Sequence, residues 1–113
     1  SHGLTRDEVA RMTREALAHA REDMTAHHLI DVRTTIQFDL NKTERMLDRY
    51  GHLLAEVDRR ALRASLEELR TFAQQCDDPE QMNRRREAFN RSTIPLAELA
   101  MTAALQAEEP KAV

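Results

Sequence analysis

The sequence predicts an all-α protein, in which a long N-terminal helical arm, bent near residues 19–28, leads into an antiparallel three-helix bundle. Three observations carry this reading. Residues 5–50 contain no proline and no glycine, and Gly51 ends the run. Ala, Leu, Glu, Arg and Met, all strong helix formers, dominate the composition. No alternating run of β-branched residues lies between turn signals, so strands have no sequence support. If the first segment is wholly helical, it is roughly 45 residues at about 1.5 Å each, close to 70 Å long. The two later runs, of roughly 20 to 30 residues, cover only about half of such a rod. The other half overhangs, and an overhanging apolar stripe needs a partner outside its own bundle.

The first helix opens on Thr5 as N-cap, with Glu8 three residues on to complete a capping box. Asp7 and Glu8 suit the positive end of the helix dipole. A thin apolar stripe follows: Val9, Met12, Ala16, Ala20 and Met24. A richer one starts later, at Leu29, Val32, Ile36, Leu40, Thr43, Leu47, Tyr50 and Leu54. The two are out of phase, so the rod has two faces with two jobs and a bend between them. Gly51 marks the helix C-terminus.

The next run carries Val57, Ala61, Leu62, Leu66, Leu69, Phe72, Ala73 and Cys76 on its apolar positions. Asp78 then reads as an N-cap with Pro79 at the first helical position. The last run places Met82, Phe89, Leu96, Ala100 and Ala103 on one face, with Pro95 inside it. That proline removes a hydrogen bond and clashes with the carbonyl of Arg91, so a kink or break is expected there. The predicted bundle core is Ile36, Leu40, Leu47, Tyr50, Leu62, Leu66, Leu69, Phe72, Met82, Phe89 and Leu96. The expected organisation is a linker or tag remnant at 1–4, an arm at 5–28, the bundle at 29–106 and a disordered tail at 107–113.

Composition excludes several function classes. The chain has 113 residues and a formal net charge of −3, so no basic field recruits nucleic acid. No apolar run approaches the length of a membrane span. The single Cys76 leaves no internal disulfide and fits a reducing, cytoplasmic compartment. His27 and His28 point about 100° apart on a helix. Neither they nor His19 has a partner at the spacing of a zinc helix motif, so surface or interface histidines are the better reading. The stretch from His27 to Asp31 lacks the lysine and small residue of a phosphorelay site. Cys76 sits at a helix end beside the carboxylates of Asp77 and Asp78, which argues against an activated nucleophile. Arg84, Arg85 and Arg86 read as a solvated helix face. With two glycines in the chain there is no phosphate loop. No active site, cofactor site or metal site is expected.

The segment Leu4-Thr5-Arg6-Asp7-Glu8-Val9-Ala10-Arg11-Met12 resembles the L-[ST]-x-x-E-[IV]-x-x-M opening of the helical lid in DnaK-type (heat shock protein 70 family) chaperones. Ala18, Ala20 and Asp23 fall on that family's A-x-A-x-x-D run. Leu29, Arg33 and Thr43 match its L-[VI]-x-x-[RK] and S-T stretches, and Gly51 its helix-ending glycine. The resemblance runs without gaps from Leu4 to about Asp78, and its strength lies in the ordered series. It implies a lid that gates release of bound unfolded peptide, without the ATPase domain or the peptide-binding β-sandwich domain. The parent protein would bind ATP; this chain would not. Val9, Met12, Ala16, Met24, Arg33, Gln37 and Asn41 would face the missing β domain. Deprived of it, the arm would self-associate.

One departure from the family pattern concerns the latch. DnaK carries an Asp and a His on the long helix where this sequence has Gln37 and Asn41, which can hydrogen-bond but supply no carboxylate. A weaker latch characterises the HscA branch, which serves iron–sulfur cluster assembly. The stretch Thr93-Ile94-Pro95-Leu96-Ala97-Glu98-Leu99-Ala100-Met101 is distantly similar to that branch's A-T-x-x-F-A-x-x-R-M, with Ala100 where its arginine stands. A reading from a different class is a stand-alone helical adaptor or dimerisation module whose arm binds another helix.

Overall fold

A computed structural model describes residues 3–108 of the chain. It consists of four α-helices: α1 (Arg6–Tyr50), α2 (Glu56–Gln75), α3 (Pro79–Ser92) and α4 (Ile94–Glu108). One 3-10 turn, Gly51–Leu53, joins α1 to α2. The described residues contain no strand.

The helix ends follow local chemistry. At the start of α1 the Thr5 Oγ1 accepts a hydrogen bond from the Glu8 N–H at 3.1 Å. Asp78 Oδ1 caps α3, accepting from Glu80 N–H at 3.0 Å, with Pro79 at the first helical position. Gly51 ends α1 without the left-handed backbone usual for such glycines: its φ and ψ are −58° and −27°. It is buried, and a Cβ there would lie 3.4 Å from Arg59 Cδ. Pro95 breaks the last run, as the steric argument requires. The break falls at Thr93, and Pro95 becomes the second residue of α4. The Ala97 N–H still reaches the Thr93 carbonyl at 3.0 Å, so the two helices meet at a kinked joint.

The expected last helix is therefore two, and the bundle is built from four helical pieces. The predicted bend in α1 does not interrupt it, since residues 19–28 are helical throughout. Helix α4 runs on through Glu108, two residues into the stretch expected as tail. The rest of that tail, 109–113, lies outside the described residues, as do Ser1 and His2.

The C-terminal half of α1 packs on α2, α3 and α4 around one apolar core. Ile36, Leu40, Met82 and Leu96 are completely enclosed, and Leu47, Leu62, Leu66, Leu69 and Phe89 are buried with them. Tyr50 and Phe72 are half-buried against this cluster. Val32, Thr43, Ala73 and Ala100 complete it. Val57 and Ala61, on the apolar positions of the α2 run, are exposed. Polar links fix the register between helices. Asp39 on α1, with a largely buried side chain, accepts from Arg86 Nε at 2.7 Å and from Asn90 Nδ2 at 3.0 Å. Glu44 pairs with Arg70 on α2. The three consecutive arginines thus divide their roles. Arg86 serves this network, whereas Arg84 and Arg85 are exposed as expected, with Arg85 also lying 4.3 Å from the Phe72 ring centroid.

The molecule measures 93 × 31 × 16 Å, with a radius of gyration of 23.1 Å. A compact domain of this length would have about 13 Å. The difference is the overhanging half of α1.

Candidate functional site

Nothing in the described chain covers the N-terminal half of α1, where every residue from 6 to 28 is exposed. Val9 and Met12 are 48% and 51% exposed, and Ala16 is exposed between them and Ala20. Their direction can be set against the core by the 3.6-residue turn, about 100° per residue. The core positions Val32, Ile36, Leu40, Thr43 and Leu47 define one side of α1. Val9, Met12, Ala16 and Ala20 point about 165° away from that mean direction. The arm's stripe therefore lies on the back of the helix, opposite the bundle.

The same back face continues over the bundle. Ile30, Thr34, Phe38, Gln37 and Asn41 point to the same side, and Ile30 and Phe38 are 58% and 63% exposed. Together with the arm they make one uncovered face spanning residues 9–41. At about 1.5 Å per residue that is close to 48 Å. Sequence reasoning missed Ile30 and Phe38. The signal was present, since both fall off the core stripe by more than a quarter turn. Met24, assigned to the stripe, lies about 75° off it, on a flank that it shares with Leu17. Both flank residues are exposed.

Gln37 and Asn41 bind each other: Gln37 Nε2 donates to Asn41 Oδ1 at 2.9 Å, both exposed, one helical turn apart. This neutral pair sits where the back face crosses onto the bundle. Arg33 does not belong to that face. Its Nε donates to the Ala73 carbonyl and its Nη2 to the Cys76 carbonyl, both at 2.9 Å. The last carbonyls of α2 have no intrahelical donor, and a planar guanidinium supplies two. Arg33 is therefore a clamp on the α2 end, occupied within the bundle. Its further contact with Asp77 at 3.7 Å involves a carboxylate that is almost fully solvated and adds little.

The other candidates for chemistry are unremarkable in place. His19, His27 and His28 are exposed. Cys76 is half-buried in the α2–α3 turn, where its Sγ accepts from the Asp78 N–H at 3.4 Å. Among the described residues no three His, Cys, Asp or Glu side chains gather as metal ligands, and no helix is long and apolar enough to cross a membrane.

Fold and geometry together define a helical module that carries its own core on one side of a long helix and, among the described residues, an uncovered face on the other. The sequence model of the Hsp70 protein family matches residues 1–102, and the chain belongs to that family. Within it the chain is similar to HscA-type chaperones. It is 36% identical over 77 residues to the "Chaperone protein HscA homolog" of Variovorax paradoxus, covering 68% of this chain and 12% of that protein. The protein of the same name from Delftia acidovorans is 40% identical over 70 residues, covering 62% and 11%. That from Aromatoleum aromaticum is 32% identical over 97 residues, covering 86% and 15%. The chain thus spans only a small fraction of the length of these relatives.

Proposed function

We propose that this chain is the lid of an ATP-dependent, HscA-like folding chaperone of the cytoplasm, and that it gates release of bound unfolded peptide. The observation that carries the reading is the back face of α1. A face set opposite the core and uncovered along residues 9–41, apolar at Val9, Met12, Ala16, Ala20, Ile30 and Phe38 with polar residues such as Asp23 and His27 between them, suits a helix lying across another domain. In this reading residues 5–28, with Ile30 and Phe38, rest on the peptide-binding β domain of the same parent chain. Residues 29–106 form the distal bundle. ATP binding and hydrolysis belong to the parent's ATPase domain, and the chain itself contributes contact surface.

The Gln37–Asn41 pair sets how firmly the lid holds. Each amide already satisfies part of the other, so a facing loop meets two neutral groups and no charge. Opening then costs no buried ion pair. The test is the off-rate of a fluorescent peptide from the ADP-bound parent protein. Gln37→Asp with Asn41→His should slow dissociation where the facing loops carry a basic and an acidic residue. An unchanged off-rate, with those loop residues present, removes these two positions from the gate.

The same face offers a second role when the β domain is absent. Val9 and Met12 are then free to pair two copies of the chain, as a stand-alone dimerisation module would. Sedimentation at tens of micromolar should show a dimer that Met12→Asp with Met24→Asp disperses. An association state untouched by that double substitution would place the contact elsewhere.

A further inference from the structure

The bundle has a second uncovered face, and none of the residues lining it belongs to α1. Three adjoining cavities of about 290, 170 and 460 Å³ run along the outer side of α2. The first shares Ser65 and Ser92 with the second, and Leu54, Asp58 and Pro95 with the third, so they form one continuous furrow. The furrow exists because α4 diverges after the Pro95 joint. Helices α2 and α4 come nowhere within 8 Å of each other, Cα to Cα.

Both walls of the furrow repeat at the spacing of a helix seam. Along α2 and the residue Leu54 ahead of it, the rim residues Leu54, Asp58, Ala61, Ser65 and Glu68 follow steps of four and three, with the buried Leu62 and Leu69 lining the furrow behind them. On α3 and α4 the lining residues include Arg85, Ala88, Ser92, Pro95 and Leu99, in steps of three and four across the Thr93 joint, beside Phe89, Leu96, Glu98 and Thr102. That period is the one at which side chains of a third helix interdigitate. Ala61, Ser65, Ala88 and Ser92 are small, which lets another backbone approach closely. From Asp58 to Glu68 the α2 wall is about 15 Å long, or about three helical turns, and Leu54 extends it beyond the helix start.

Charge narrows the occupant. Asp58, Glu68 and Glu98 line the furrow. Among the described residues, none of these carboxylates has a basic group within 4.0 Å. The one basic lining residue, Arg85, is committed to the Phe72 ring. Asp58 and Glu98 lie together at the Leu54 end. We propose that this furrow docks a single amphipathic helix of a partner protein, about three turns long, with its apolar seam inward and lysine or arginine beside Asp58 and Glu98. The docking site is distinct from the back face of α1, since α1 supplies none of its lining.

The probe is a synthetic capped peptide of about 15 residues, with leucines at seam spacing and lysines flanking them. A second peptide carries glutamates in place of the lysines. Both are titrated into the isotope-labelled 113-residue chain and followed by amide shifts. The lysine peptide should give saturable shifts at residues 58–68 and 88–99 and leave residues 9–20 unmoved. Asp58→Lys with Glu98→Lys should weaken it at least about tenfold, and Ser65→Arg should block it sterically. Circular dichroism verifies folding; if Ser65→Arg unfolds the bundle, the exposed Asp58 and Glu98 substitutions carry the test. Equal binding of the glutamate peptide, shifts on the α1 back face, or no saturable shift overturns the proposal. So do furrow shifts that track protein concentration without peptide, since the occupant would then be a second copy. The arm enters these readouts only as a control for off-site binding, so the lid reading stands or falls separately.

Discussion

Leu47 and Val9 sit on the same helix under opposite conditions: 2% of Leu47 is exposed and 48% of Val9. Leu47→Ala opens a cavity in a packed core and should cost about 2–5 kcal/mol in chemical denaturation of this chain. Leu66→Ala belongs to the same range. Val9→Ala removes methyl groups already in water and should cost far less; equal losses at the two positions would contradict a helix with two separate jobs. Arg33 gives a sharper residue-scale test, because sequence reasoning assigned it outward. A lone arginine some 60° from the core direction can reach either side, and only the position of the α2 terminus decides. Arg33→Ala strands the Ala73 and Cys76 carbonyls and should destabilise the bundle by about 1–3 kcal/mol. Moderate salt should leave most of that loss in place, because the bonds go to carbonyls and the Asp77 pair is solvent-screened. A loss under a few tenths would mean that water replaces the clamp.

At the scale of helices, the residues that start and stop them were legible wherever the chemistry is local. Thr5, Asp78 with Pro79, and Pro95 act within one turn of themselves, so their effect needs no tertiary knowledge. Gly51 was legible as an end and illegible in its reason. Its backbone angles suit any residue, and what it supplies is room beside Arg59. Gly51→Ala should therefore be neutral or stabilise by up to about 1 kcal/mol through the unfolded chain. A thermal scan showing a loss of several degrees would instead mean that the 3.4 Å approach cannot relax. The phase change between stripes, read as a bend at 19–28, falls within one uninterrupted helix whose two stripes lie on opposite sides. The furrow could not be read from sequence, because it depends on how far α4 swings out after Thr93.

For the whole molecule, length alone exposed the main feature. Residues 5–50 hold no breaker, and the later runs are too short to match them. The overhang, the 93 Å long axis and the uncovered face follow from that mismatch. No described residue covers that face, so the surface proposed to meet it could not be read from this sequence. Hydrogen exchange measured on this chain and on the ADP-bound parent tests that meeting most directly. In the chain alone, amides of residues 6–28 should exchange quickly, as expected of a helix without tertiary contacts, while those around Ile36, Leu40 and Leu66 stay protected. In the parent protein, residues 6–28 should gain strong protection and the bundle amides should change little. Equal protection of residues 6–28 in both proteins would contradict the claim that the back face of α1 rests on a domain of the same parent chain.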